Sequence, residues 1–504
     1  MTPGEPATKR RARPRFSDEP VRLEAVIERL GRPEIIGDPG GVLVDDVQYD
    51  DRRVQPRSPD EPGGDLFCCV PGSSSDGHGF AAAARRRGAV AFLCERPLGA
   101  AAGGAPQLLV GPREVRPAMA AAACVVHHDP ATQLQVAGIT GTAGKTTTTY
   151  LLASIWEAAG LSTAVIGTLT GARTTPEAPD LQRQLSAAAT AGRAAVAMEV
   201  TSHALVQHRV DGYRHDVAVF TNLSQDHLDF HLTMEKYFEA KASLFTPEHA
   251  YVGVVNADDA YGSRLLQAAS IPLRPFRLRD ATALEVGLKE CTFVLDGEPV
   301  RLRLLGELNV RNAIAAAAAA RELGVDAATV AEGLSSATGP PGRLESVENA
   351  LGINVVVDYS HKPGALREVL AALRRLTGDG LLIVVFGAGG DRDRTKRPLM
   401  GAAASALADL SVITSDNPRH EDPLEIIEDV KQGAEGGSEL IVEPDRRRAI
   451  AIALARAAEV APTTALVLVA GKGHERTQQI GDELIDFDDR EVVVSEAANL
   501  AARR

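Results

Sequence analysis

Gly138-Ile139-Thr140-Gly141-Thr142-Ala143-Gly144-Lys145-Thr146-Thr147 ends an apolar stretch, Leu134 to Thr140, and opens a helical pattern from Thr146. A strand that turns through glycines into a helix is the setting a phosphate cradle requires. Glycines let backbone N–H groups approach phosphate oxygens, and the helix N-terminus adds a favourable dipole. Lys145 can then reach the β and γ oxygens, and Thr146 can offer its hydroxyl to magnesium. The spacing is not the strict GxxxxGK[ST], which needs glycine at 139, where isoleucine stands. It is the shorter GTxGKTT form. A purely structural glycine turn would leave the Gly-Lys-Thr-Thr run unexplained.

Outward from this turn, strand and helix patterns alternate. Ala194 to Val200, Asp216 to Leu223 and Ala250 to Asn256 read as strands, with a helix around Met234 to Phe245. Near-continuous apolar strands between amphipathic helices imply a parallel sheet covered on both faces. After a hinge at Thr338-Gly339-Pro340-Pro341-Gly342 the alternation restarts, with strands at Ile353 to Asp358, Leu381 to Phe386, Leu410 to Thr414, Glu439 to Val442 and Ala465 to Ala470. That is a second doubly wound unit. Before residue 130, short apolar pieces such as Leu66 to Val70 and Ala89 to Leu93 suggest a small α/β module. The expected organisation is a disordered basic tail (1–15), an N-terminal α/β domain (16–130), a central P-loop parallel-sheet domain (131–341) and a C-terminal Rossmann-like domain (342–504).

A chain of 504 residues with 44% hydrophobic and 24% charged residues is globular in composition. Its net charge of -13 argues against nucleic-acid partners, since a phosphate backbone is gripped by clustered Lys and Arg. Only Lys9 to Arg13 is locally basic, and it is read as a solvated tail. No apolar run approaches the ~18–20 residues that cross a bilayer. The five cysteines lack paired spacing and look like buried thiols. With no apolar leader pattern, a cytoplasmic location and no membrane partner are expected.

Glu199 and His227 each fall at or just beyond the carboxyl end of a predicted strand, on the edge where the P-loop lies and where open α/β sheets bind ligands. Carboxylate and phosphate oxygens suit Mg²⁺, a hard cation that keeps several waters. Lys241, read from the residues alone, is a solvated lysine on an exposed helix face.

The GTxGKTT form resembles the Mur ligase family of ATP-dependent amide-forming enzymes, and further blocks extend the resemblance over nearly the whole chain. They are Thr174-Thr175-Pro176-Glu177, Met198 to His203, Thr221 to Asp229, Tyr237 to Lys241, Asn309 to Asn312, Asp358 to Pro363, Gly389 to Asp393, Asp416-Asn417-Pro418-Arg419 and Gly471 to Glu475. The resemblance implies the three-domain architecture of that family. It also implies an ADP-forming ligase of peptidoglycan precursor synthesis that adds meso-diaminopimelate to UDP-MurNAc-L-Ala-D-Glu through an acyl phosphate. ATP and two Mg²⁺ ions are the implied cofactors, with Thr146, Glu199, His227 and a carbamylated Lys241 around the metals. By position, Gly141, Thr142, Gly144, Lys145, Thr146 and Thr147 match nucleotide contacts, joined by Asn309, Arg343 and Asp391 around the adenine and phosphates. Thr174, Thr175, Thr201, Gln207 and Arg209 match residues that hold the UDP-muramoyl substrate. Arg392, Asp416, Asn417, Arg419, Gly471 and Glu475 match the amino-acid site. A base is expected for the amide step, and His361 lies close to the relevant strand edge. A monomer is expected.

Asp416-Asn417-Pro418-Arg419 resembles the signature of relatives that add meso-diaminopimelate. Diaminopimelate differs from lysine by a second carboxylate, which an arginine holds with two parallel charge-assisted hydrogen bonds. Some positions depart from the family pattern. Ala143 replaces an Asn, Thr201 replaces a Ser, and Tyr49-Asp50-Asp51-Arg52 occupies the place of a DSR motif, with an insertion at Gln55 to Pro62. A carboxylate beside a diphosphate is unfavourable, and the segment from Gly167 to Thr174 is short. Two alternatives follow: a divergent ligase using L-lysine or another carboxylate and amine, and a nucleotide-binding relative without catalysis.

Overall fold

The computed structural model describes residues 19–55, 63–72, 75–434, 439–460 and 464–503. The basic tail and residues 56–62 of the insertion lie outside the described residues. The chain packs as two compact units, Met1–Arg277 with Ile314–Gly333, and Leu278–Ala313 with Leu334–Arg504.

The first unit opens with a small sheet of β1 (Glu34–Ile36), β2 (Asp46–Gln48), β3 (Asp65–Cys68), β4 (Ala89–Cys94) and β5 (Gln107–Leu109), in spatial order β1-β5-β4-β3-β2. Helix α1 (Val115–Val126) packs Val115, Met119 and Ala122 onto it. The larger sheet is wholly parallel: β6 (Gln135–Thr140), β7 (Thr163–Ile166), β8 (Ala195–Glu199), β9 (Val217–Phe220), β10 (Gly253–Asn256) and β11 (Leu273–Phe276), in order β11-β10-β9-β6-β8-β7. Pro275 lacks an N–H for the ladder, and it sits in the edge strand β11, where one side needs none. Helices α2 (Lys145–Ala158), α3 (Ala178–Thr190) and α4 (Met234–Ala242) belong to this unit. The strand order reverses across β6, so β8 and β9 flank the P-loop strand on either side. That is the switch point at which such sheets bind ligands.

In the second unit, β12 (Thr282–Val286), β13 (Cys291–Leu295) and β14 (Glu298–Leu302) form an antiparallel sheet. Along β13, buried Cys291, Phe293 and Leu295 alternate with half-buried Thr292 and Val294, the period of two that covers one face. Helix α5 (Glu307–Glu322) follows, its residues from Ile314 on counted with the first unit. The main sheet has the order β15-β16-β20-β17-β18-β19, from β15 (Glu345–Ser346), β16 (Asn354–Asp358), β17 (Leu381–Phe386), β18 (Leu410–Ile413), β19 (Glu439–Val442) and β20 (Ala465–Ala470). Its alternate residues feed two cores, with Val356, Leu382, Val384 and Leu468 on one face and Val355, Ile383, Val385 and Val467 on the other. Two buried faces are why these strands read as unbroken apolar runs. A hairpin of β21 (Thr477–Ile480) and β22 (Glu483–Asp486) completes the unit. Packing groups residues 278–313 with the C-terminal segment, although the sequence punctuation falls at 338–342. The reason is visible in the core, where Leu305 and Leu288 join Val356, Leu382 and Leu468.

Arg446, which opens helix α6 (Arg446–Ala457), and Asp489, which opens α7 (Asp489–Ala502), form a fully buried ion pair at 2.7 Å. The same guanidinium donates to Ser415 O (3.4 Å) and Ala470 O (3.0 Å). It thereby ties together the chain just before Asp416 and just before Gly471.

Candidate active site

The P-loop runs from the end of β6 into α2. Gly141 has φ +148°, and a Cβ there would lie 1.9 Å from Thr221 Oγ1, so only glycine fits. Gly144 caps α2 in the left-handed region at φ +86°. Between them, Ala143 is clamped through its backbone. Its N–H donates to Asn222 Oδ1 (2.9 Å), and its carbonyl accepts from Thr221 Oγ1 (2.7 Å) and Asn222 Nδ2 (3.1 Å). The cradle is shaped without an asparagine side chain at 143.

Two ammonium groups converge on one carbonyl: Lys145 Nζ and Lys241 Nζ both donate to Gly141 O at 2.8 Å. Lys145 also donates to Thr142 O (2.9 Å). Lys241 is not the solvated lysine that its helix pattern alone suggests. It is 1% exposed, and its ammonium stands 4.9 Å from the centre of the Tyr237 ring. The side chain reaches inward because α4 packs its Tyr237, Phe238 and Lys241 face against the sheet. Burial, and then the neighbouring Lys145 charge, hold its amine well below the ordinary lysine value.

Glu199, at the end of β8, is 2% exposed and lies in register with Ile139. Its Oε2 accepts from Thr146 Oγ1 (3.0 Å) and its Oε1 from Thr168 N (2.8 Å). A hydroxyl and a carboxylate so placed offer the hard oxygens that Mg²⁺ prefers. The Gly167 to Thr174 loop is therefore short yet engaged. His227 caps a one-turn helix (Leu228–His231) at φ +53°, and its Nε2 stands 3.4 Å from Asp226 Oδ2. His203, four residues beyond Glu199, meets the His227 ring edge-on at 4.9 Å and stacks on Phe230 at 4.1 Å. It joins the Glu199 and His227 segments. Among the described residues no cluster of three or more His, Cys, Asp or Glu forms a metal cage by itself.

Thr175 Oγ1 donates to Glu199 O (2.8 Å) and accepts from Thr201 N (3.1 Å). Thr201 caps its helix by accepting from Ala204 N (3.2 Å), so its hydroxyl has a structural use. Arg209 donates to Thr175 O (2.9 Å) and Gln207 Oε1 (2.6 Å), and pairs with Glu177 (2.9 Å). Thr174 meets Thr168 hydroxyl to hydroxyl at 3.0 Å. All five expected UDP-side residues thus lie on one network behind β8. The Tyr49 to Arg53 segment docks on α3. Tyr49 OH donates to Asp180 at 2.6 Å, and burial together with that carboxylate pushes Tyr49 up to about 12. Burial raises Asp180, but Arg53, Tyr49 and Arg183 outweigh it and hold the carboxyl at about 2. Asp51 stands 3.8 Å from Arg87.

In the second unit, Asp416 to Arg419 follow β18 and are splinted by β21. Gln478 Nε2 donates to Asp416 O (2.7 Å), Gln479 N to Asn417 Oδ1 (2.9 Å), and Arg419 N to Gln479 O (3.1 Å). Arg419 takes φ +51° and donates from Nη1 to Gly390 O (2.6 Å); among the described residues no carboxylate pairs with it. Gly471 has φ +116°, and a Cβ there would lie 2.5 Å from Asp416 Oδ2, an oxygen that is buried without a partner. Asn417 Nδ2 donates to Glu475 Oε2 (2.9 Å). Arg392 is exposed beside the Gly389 turn. Tyr359 is ringed by Arg343 (4.8 Å), His361 (4.5 Å) and His474 (4.9 Å). His361 donates from Nδ1 to Tyr359 O (2.8 Å), and burial lowers its pKa.

A model of the Mur ligase middle domain matches residues 139–320, and one of the Mur ligase glutamate ligase domain matches residues 342–473. The chain is 42% identical to the UDP-N-acetylmuramoyl-L-alanyl-D-glutamate–2,6-diaminopimelate ligase of Streptomyces coelicolor, over 94% of this chain and 97% of that protein. It is 41% identical to the ligase of the same name from Geobacter metallireducens, over 96% and 99% of the two chains. A solved structure of such a ligase aligns with a TM-score of 0.69 at 32% identity, over 95% of this chain and 99% of that one. The chain belongs to the Mur ligase family.

In this Mur ligase, two residues expected on the nucleotide side are engaged in ways their sequence matches do not reveal. Asn309 is buried and spends its amide on Leu305 O (2.9 Å) and on Asn312 (3.1 Å), bracing the start of α5. Asp391, at φ +52°, accepts from His420 Nδ1 (2.9 Å). Sequence reasoning also gave no role to His203, Lys472 or the Gln478-Gln479 strand. The first two stood inside recognisable blocks, but only the fold shows what they touch.

Proposed function

We propose that this Mur ligase joins meso-diaminopimelate to the D-glutamyl carboxylate of UDP-MurNAc-L-Ala-D-Glu, converting ATP to ADP and phosphate. The observation that carries the choice of amine is Arg419, held by its backbone and by one N–H, with the rest of its guanidinium fork available to a carboxylate. Lysine would leave that fork unpaired.

Two anions must meet in the first step, as the γ-carboxylate attacks the γ-phosphorus to give an acyl phosphate. Lys145 supplies a mobile positive charge by turning from the Gly141 and Thr142 carbonyls to the phosphate oxygens, and the Gly141–Gly144 backbone holds the nucleotide. Thr146, Glu199, His227 and a carbamylated Lys241 would hold magnesium, which when bound neutralises charge between the two anions. An ammonium at 241 fits such a site poorly, because it repels a cation. A carbamate fits. Burial disfavours the charged form of the Lys241 amine, and its neutral form adds to carbon dioxide: a C–N bond forms, one proton leaves, and a carboxylate-like group results. Growth of the protein with isotope-labelled bicarbonate is expected to give a carbamate carbonyl resonance that Lys241→Ala removes; a wild-type spectrum without it refutes the carbamate.

In the second step the amine displaces phosphate. Its ammonium must first lose a proton, and we assign the acceptor role to His361 Nε2, the ring nitrogen left with a lone pair once Nδ1 donates to Tyr359 O. Thr174, Thr175, Thr201, Gln207 and Arg209 are assigned to the UDP-muramoyl substrate, and Arg392, Asp416, Asn417, Gly471 and Glu475 to the amino acid. Thr142, Thr147, Asn309, Arg343 and Asp391 complete the nucleotide side. We read the enzyme as a monomer working on cytoplasmic precursors. The three domains 16–130, 131–341 and 342–504 are our functional division.

The test mixes protein, ATP, Mg²⁺ and UDP-MurNAc-L-Ala-D-Glu with meso-diaminopimelate or L-lysine, following phosphate release and product mass. Product with meso-diaminopimelate alone is expected. Product with lysine at equal rate would remove the argument from Arg419 and keep the ligase.

A further inference from the structure

Lys472 is 0% exposed, in the middle of Gly471-Lys472-Gly473-His474-Glu475. A Gly-Lys-Gly run invites a reading as a phosphate-binding lysine, but the geometry argues otherwise. An ammonium has three N–H donors and no acceptor. Here the three acceptors around Nζ are all protein atoms: Thr477 O at 2.6 Å, Asn417 Oδ1 at 3.1 Å and Glu475 Oε2 at 3.3 Å. None is left for a ligand.

Those bonds have a directional consequence. Asn417 Oδ1 receives two donors, Lys472 Nζ and Gln479 N (2.9 Å), neither of which can accept. The amide is therefore locked with its oxygen toward Lys472 and its nitrogen toward Glu475. Asn417 Nδ2 then donates to Glu475 Oε2 at 2.9 Å, so that oxygen receives two N–H groups. Glu475 Oε1 takes part in no hydrogen bond among the described residues, and the side chain remains 32% exposed. One carboxylate oxygen is anchored below and its twin is turned outward.

We infer that Lys472 is a positioning residue for the amino-acid substrate, fixing the Asn417 amide and the Glu475 carboxylate so that the pocket presents an acceptor to the substrate's ammonium opposite the donors of Arg419. The inference rests on the proposal that this pocket receives the amino acid. Without the ammonium, Asn417 keeps only the Gln479 N–H and the Glu475 carboxylate to hold it, and Glu475 loses both a donor and its counter-charge, so the carboxylate is no longer fixed in place.

Lys472→Met keeps length and removes every donor. It is expected to raise KM for meso-diaminopimelate about tenfold or more, the scale of a lost charge-assisted hydrogen bond. KM for ATP and for the UDP substrate should stay within about twofold, because a local re-aiming of the pocket leaves their contacts intact. An unchanged KM for meso-diaminopimelate in folded Lys472→Met overturns the inference, as does a uniform loss across all three substrates. Neutron diffraction on the wild-type protein gives a second, substrate-free test. It should show deuterium on the Asn417 atom facing Glu475 and none on the atom facing Lys472, and the reverse pattern overturns the inference even if the Met variant fails to fold. If wild-type protein forms no tripeptide product, the proposed function falls, and the neutron map still decides the arrangement of Lys472.

Discussion

Lys145→Ala is expected to lower kcat by about three orders of magnitude while leaving the melting temperature unchanged. Removing one preorganised donor from developing charge costs about 10²- to 10³-fold, and here a full positive charge is lost between two anions. The resting contacts of Lys145 include two carbonyls of its own loop, Gly141 O and Thr142 O. Such neutral acceptors are surrendered easily to phosphate, so the residue serves the reaction more than the fold. Lys241 shares the Gly141 acceptor but cannot substitute, because as a carbamate it carries no positive charge. Steady-state phosphate release together with a thermal melt checks this. A loss of less than about tenfold would mean that charge neutralisation comes from elsewhere.

Arg419→Ala is expected to cut kcat/KM for meso-diaminopimelate about a hundredfold, within the range for truncating one partner of a hydrogen-bonded charge pair. Its main chain is pinned on both sides, Arg419 N to Gln479 O at 3.1 Å and Gly481 N to Arg419 O at 2.6 Å, so the backbone path survives the substitution. Only the fork disappears. Arg419→Lys should recover a fraction of the loss, since an ammonium restores charge without two parallel bonds. Competition between meso-diaminopimelate and L-lysine reads the effect directly. If both lose equally, Arg419 supports the pocket and does not discriminate.

The features legible in the sequence were those with strong local rules. Strands β17, β19 and β20 fall where unbroken apolar runs put them, and the P-loop strand and helix start within a residue of expectation. The antiparallel sheet was missed although Asp296-Gly297, with φ of +51° and +87°, is a two-residue hairpin signal between β13 and β14. Alternation over five residues is easily lost among longer runs. Lys241 was legible only through resemblance, because helix periodicity tells which residues share a face and not which long side chain dives inward. Lys472 was invisible for a related reason: its three acceptors are a carbonyl five residues on, a carboxylate three residues on and an amide 55 residues back.

The splinting of Asp416 to Arg419 by β21 bears on how such a pocket can change over evolutionary time. Two of the three bonds from that strand use its main chain, the Gln479 N–H and the Gln479 carbonyl, and only Gln478 lends a side chain. A lineage can therefore exchange the residue at 479 with little consequence for substrate choice, so long as the strand keeps its path. Insertions or deletions in Thr477–Ile480, which shift the register, should be purged far more strictly than substitutions there.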